Sequence, residues 1–260
     1  MTTQRPLDGR TAIVTGASSG IGRATATALA RDGAAVVLAA RRAEKLNELA
    51  TELREEYDAE TLVVPTDVRD HEAVEAVVDA AVDEFGSLDV LVNNAGVLRS
   101  ALRLESMPIE EYKLMMETNV DGMFYATRAA LPHLRASNGN LVFIGSDSGK
   151  HPDPLIAVYA STKWWTRGFA LSIEAREGRN GVGVTVVNPG DARTEIEFHG
   201  ERMVDVYEED EILEADEIAE AVAFAVRQKE TSTISELDVY GRDLSTDVYR
   251  GLLEEELPEN

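Results

Sequence analysis

The chain contains no cysteine, which excludes a disulfide framework and any thiolate metal site. Histidine is scarce as well. His71, His133, His151 and His199 are too scattered for ligand spacing, so no metal is expected. A thiol-free chain fits a reducing cytoplasm. No run of about 18 apolar residues is present to span a membrane, and the N-terminal MTTQRPLDGR lacks the apolar core of a signal peptide. Basic residues are few: 25 Lys and Arg face 48 Asp and Glu, a net charge of −23, and only Lys45, Lys113, Lys150, Lys163 and Lys229 are lysines. That deficit removes the basic stripe a phosphate backbone needs, so nucleic acid is not expected as a partner. Self-repulsion at this charge opposes compactness in dilute buffer and is screened in concentrated salt. A halophilic source is the expectation.

What remains is ample for one large core: 260 residues, 44% of them hydrophobic. Short apolar strands alternate with amphipathic stretches, the pattern of a parallel sheet covered on both faces. Strands are expected at Thr11–Thr15, Ala35–Ala40, Thr61–Pro65, Leu88–Asn93, Asn140–Gly145, Gly183–Asn188 and Ile234–Val239. Between them, apolar residues recur at helical spacing, as in Leu46, Leu49 and Leu53 or Val74, Val77, Val78 and Val82. This predicts an α/β fold, a single-domain Rossmann-type doubly wound sheet of seven parallel strands flanked by helices, spanning 1–260. The acidic, irregular stretch 191–216 breaks the pattern and is expected to be a substrate lid. The tail after Gly241 is acidic too.

Three features carry chemistry. TGASSGIG at 15–22 joins the first strand to a helix starting near Ile21. Its glycines let the backbone approach a pyrophosphate at that helix N-terminus, although a tight structural corner reads the same way. Tyr159 and Lys163 stand at i and i+4, on one helix face. An ammonium beside a phenol lowers its pKa and makes Tyr159 a proton donor and acceptor; a lone pair of this kind is otherwise a surface feature. At the end of the second strand, LAARRAEKL puts Ala40 where an acid would grip a ribose 2′-hydroxyl, followed by Arg41 and Arg42. Arginines there suit a 2′-phosphate, hence NADP(H). Solvated charges opening a helix are the other reading.

TGASSGIG, NNAG at 93–96, Asn119 in TNV, Ser146 in IGSDSG, YASTK at 159–163 and NPG at 188–190 occur in that order. Together they make nearly the whole chain resemble the short-chain dehydrogenase/reductase family. The resemblance implies four catalytic residues: Tyr159 as general acid/base, Lys163 also bonding the nicotinamide ribose, Ser146 holding the substrate oxygen, and Asn119 keeping a water for proton relay. It further implies a dinucleotide lying on Gly16, Ser18, Ser19, Gly20, Ile21 and Gly22. Arg41 and Arg42 would meet its 2′-phosphate, and Asp67 and Val68 its adenine. Asn93, Ala95 and Gly96 would line the cleft, with Pro189 and Gly190 under the nicotinamide and Thr194 at the carboxamide. Three positions depart from the pattern: Ala40 replaces the Asp of NAD-preferring relatives, Ser19 stands where NADP-preferring ones often carry Arg or Lys, and Ala192 is smaller than the usual Val or Ile.

The implied activity is hydride transfer between NADP(H) and a small carbonyl or secondary alcohol. An NAD(H)-dependent dehydrogenase of a small 3-hydroxy acid, sugar or polyol is the alternative. The glycine spacing argues against an epimerase or dehydratase, and the intact tetrad against a non-catalytic dinucleotide sensor. His151, Asp153 and Leu155 are expected at the substrate pocket or in loop packing. The family resemblance also implies a homodimer or homotetramer paired through helices spanning 108–136 and 158–178, with Phe124, Tyr125, Trp164 and Phe169 as interface or core, and Trp165 likewise.

Overall fold

The computed structural model describes residues 5–242 except 102, 154 and 199; His199 and the acidic tail beyond 242 lie outside the described residues. Seven strands form one parallel sheet: β1 Thr11–Thr15, β2 Ala35–Ala40, β3 Thr61–Pro65, β4 Val90–Asn93, β5 Asn140–Ile144, β6 Gly183–Pro189 and β7 Glu236–Val239. Their order is 3-2-1-4-5-6-7, the expected doubly wound sheet. Successive side chains point to opposite faces, and β2 shows the result. Val36 and Leu38 join one core with Leu29, Leu46, Leu49, Ile218 and Val222, while Val37 and Ala39 join the other with Val74, Val77, Met123 and Ala170.

The helices supplying the first core are α1 Gly20–Arg31, α2 Ala43–Tyr57 and α8 Ala215–Val226. The second core takes α3 His71–Phe85, α5 Gly122–Ser137 and α6 Ala157–Glu177. A bidentate pair clamps α5 to α6: Arg135 donates to both carboxylate oxygens of Glu177 at 2.7 and 2.8 Å. Those bonds hold the Glu177 carboxyl down to about 2. Among the described residues no helix is long and apolar enough to cross a membrane.

Several boundaries move. β4 starts at Val90 rather than Leu88; Asp89 just before it bonds its amide to Thr11 O and its carboxylate to Thr11 N, both at 2.9 Å. β7 starts at Glu236, after Ser235 has turned its hydroxyl to Glu174. The expected helix over 108–136 is three pieces: α4 Ile109–Met116, a π turn at Glu117–Asp121, then α5. The stretch 191–216 is more regular than its sequence suggests. Ala192–Arg193 pairs with Leu213–Glu214, Glu197–Phe198 with Glu201–Arg202, and α7 covers Met203–Val206.

The two tryptophans part company on α6. Trp165 stacks on Phe169 at 4.6 Å, facing the second core, whereas Trp164 is 46% exposed. Phe124 on α5 is exposed too.

Candidate active site

Strand order reverses between β1 and β4, which opens a crevice at their C-terminal ends. The glycine turn lies on one side of it. Gly16 and Gly20 adopt positive φ, 68° and 50°, and α1 begins at Gly20 with no side-chain cap and no acid in its first turn. Its leading N–H groups therefore remain available to an anion. Asn94, at the end of β4, braces the turn: its side chain donates to Thr15 O at 2.8 Å, and Thr15 Oγ1 accepts from the amides of Asn94 and Ala95 at 3.0 and 3.1 Å. Neither Thr15 nor Asn94 was singled out from the sequence. The doubled asparagine of NNAG was the signal, and the first of the pair has the more structural role, donating to Thr127 Oγ1 on α5 at 3.0 Å.

The two arginines after β2 separate. Arg42 folds back on the turn, with Nε 3.1 Å and Nη2 3.0 Å from Ser18 Oγ, Nη2 2.6 Å from Ser19 Oγ, and Nη1 2.7 Å from Glu195. Arg41 is exposed and lies near enough to Asp67 to add to the lowering of that carboxyl, which is due first to hydrogen bonds from Arg69. Val68, next in the chain, is buried. The uncapped α1 N-terminus and the Arg42, Ser18 and Ser19 donors fit the pyrophosphate and 2′-phosphate of a dinucleotide. Thr194 lies over Gly20, where an added Cβ would come within 3.2 Å of it. Pro189 is buried at the end of β6, and Gly190 donates to Val239 O at 2.9 Å.

Across the crevice, Asn119, Ser146, Tyr159 and Lys163 are all buried. Asn119 sits in the π turn, a feature frequent at functional sites. It accepts from Val97 N and donates to Val97 O, both at 2.8 Å, and reaches Thr162 Oγ1 at 3.2 Å. Gly96 approaches both Asn119 and Lys163, and an added Cβ would lie 3.5 and 3.9 Å from them. Ser146 caps the short turn 147–149, accepting from Ser148 N at 3.2 Å and donating to Asp147 Oδ1 at 2.9 Å. Lys163 donates to Ile144 O at 2.8 Å and stands 5.5 Å from the centre of the Tyr159 ring.

The electrostatics correct one expectation. Tyr159 is not lowered by Lys163 here; burial pushes its phenol well above the ordinary value. A hydrogen bond with Ser146 works the other way, and the negative charges of Asp147 and Asp191 add to the rise. Lys163 is itself pushed down to about 8 by burial. Asp191 is raised by burial and by Asp147 and Asp153. These carboxylates beside the tyrosine were not anticipated, although Asp147 stands inside the IGSDSG segment. Of the expected pocket loop, His151 donates its amide to Asp147 O and Leu155 is exposed.

The family model described as short chain dehydrogenase matches residues 10–202. The chain is 34% identical to an NADP-dependent 3-hydroxy acid dehydrogenase of Schizosaccharomyces pombe over 90% of this chain and 93% of that one. Among solved structures, it resembles an alcohol dehydrogenase from the archaeon Thermococcus sibiricus complexed with 5-hydroxy-NADP. The TM-score is 0.82 and the identity 30%, covering 96% of this chain and 99% of that one. It also resembles L-sorbose reductase of Gluconobacter frateurii complexed with NADPH and L-sorbose, with a TM-score of 0.81 and 27% identity over 92% and 98% of the two chains. With the crevice, the glycine turn and the buried tetrad in one fold, the chain belongs to the short chain dehydrogenase family and is an oxidoreductase.

Proposed function

We propose that this enzyme reduces a small carbonyl compound with NADPH, or runs the reverse oxidation of the secondary alcohol, with Tyr159 as general acid/base. The observation that carries the reading is the buried Tyr159 beside Ser146 and Lys163, its phenol protonated at neutral pH as any tyrosine is. A protonated phenol is the group a carbonyl oxygen needs as it gains charge. Ser146 Oγ holds that oxygen, Lys163 fixes the ribose and the local charge, and Asn119 anchors the route by which a proton returns. The nicotinamide, when bound, supplies or takes up the hydride. On the substrate side, Ile196 and Phe198 from 191–216 pack on the cluster of Leu98, Met115, Ile156 and Tyr159, which supports a lid with an apolar inner wall. Asp147 and Asp191 beside Tyr159 favour a neutral substrate over a 3-hydroxy acid, whose carboxylate they would repel.

For the cofactor, Arg42 rather than Arg41 is the phosphate residue in this reading. The NADP-dependent relative and the two NADP-type complexes support NADP(H) as the cofactor, and the bonds of Arg42 to Ser18 and Ser19 of the glycine turn favour it over Arg41. Arg42→Ala should weaken NADPH binding about 10- to 100-fold, the worth of a charge-assisted hydrogen bond, and change NADH binding about twofold or less. Fluorescence titration of both nucleotides checks this. Equal losses for both would remove Arg42 from phosphate recognition.

Exposed Phe124 and Trp164 on α5 and α6 support pairing of subunits through those helices, and the net charge of −23 supports work in concentrated salt. Sedimentation across KCl concentrations tests both. A dimer or tetramer that holds in multimolar KCl and loosens in dilute buffer is expected; a monomer throughout would refute the pairing, and indifference to salt the adaptation.

A further inference from the structure

One guanidinium joins three parts of the site. Arg42, from the end of β2, touches Ser18 and Ser19 of the glycine turn and the carboxylate of Glu195, which lies beyond β6. Thr194, next in the chain, rests on Gly20 of the same turn. The segment 194–195 thus straps across the turn, tied at one end by packing and at the other by an ion pair. Burial works to raise the Glu195 carboxyl, but bonds from Arg42 and Ser19 and the nearby charge of Arg202 bring it below its ordinary value. It is therefore an anion already bonded to one nitrogen of Arg42, Nη1, at 2.7 Å.

We propose that Glu195 determines cofactor specificity: its carboxylate holds the arginine nitrogen that a ribose 2′-phosphate needs, so the two compete. This rests on the reading of Arg42 as the phosphate residue. An Arg fork presents a limited set of directed donors. When a 2′-phosphate takes Nη1, Glu195 is displaced and the strap loses its tie; a ribose bearing only hydroxyls leaves the pair in place. Phosphorylated and unphosphorylated cofactors would then leave the strap, and the lid that continues from it, in different states. The ion pair is partly exposed, with side-chain exposures of 46% and 36%, so the competition is modest.

The test uses adenosine 2′,5′-bisphosphate and AMP as probes, titrated calorimetrically into wild type, Glu195→Gln, Arg42→Ala and the double variant. The ratio of the two affinities should rise about three- to tenfold in Glu195→Gln, and this gain should vanish in the Arg42→Ala background. If Arg42→Ala abolishes the preference for the bisphosphate while Glu195→Gln leaves the ratio unchanged, the competition is refuted and the phosphate reading stands. If Arg42→Ala keeps the preference, the phosphate reading fails and takes this proposal with it.

Discussion

Tyr159→Phe is expected to lower turnover by about 10²- to 10⁴-fold, the usual worth of a positioned proton donor, while NADPH affinity stays within about twofold. The change removes one oxygen and nothing else. The ring would still pack with Leu98, Met115 and Ile156, and the hydrogen bond from Lys163 to Ile144 O does not involve the phenol. Ser146 would lose a partner, but Asp147 continues to accept its proton. Single-turnover hydride transfer, followed by nicotinamide absorbance beside an affinity titration, separates the two roles. An undiminished rate would end the case for proton transfer through Tyr159. Lost affinity with an intact transfer rate would make the hydroxyl a binding group instead.

The second large effect is at Gly22. A methyl group added there would meet Asn94 Nδ2 at 2.3 Å and Gly16 O at 2.4 Å. Neither can retreat easily, since Gly16 is backbone at positive φ and the Asn94 amide is fastened to Thr15 O. Gly22→Ala must therefore lever α1 away from the turn, at about 1–3 kcal/mol of overpacking. For a chain of this size that is roughly 2–12 °C in Tm. Because the leading N–H groups of α1 move with it, NADPH affinity should fall at least about tenfold. Gly168→Ala on α6 is the control, for nothing lies within 4 Å of its added Cβ. Calorimetric melting of both variants decides; a Gly22→Ala chain that melts and binds like wild type would show that the turn yields freely.

The sheet was legible because β1 and β2 are buried on both faces, so their apolar runs have no solvent side to blur them. The four residues of the proposed tetrad stood out for another reason: they lie in segments that carry the family resemblance, and the fold buries all four. What escaped depends on approach between distant segments. Sequence position ranks Arg41 and Arg42 alike, and only the fold turns Arg42 onto Ser18 and Glu195. The Tyr159 phenol was misjudged because its i+4 neighbour is visible in the sequence, whereas burial and Asp191, beyond β6, are not. The π turn hid inside a continuous helical pattern. Asn119 accordingly read as a residue type with a role, without the π turn in which it sits.

The diverging indoles of α6 equip the molecule with two optical reporters immediately downstream of Lys163. One emits from an aromatic stack and the other from water's edge. A soluble quencher would therefore reach the outer indole of a lone subunit and be shut out where α6 pairs, with the stacked indole as an internal reference and without a dye or an added label.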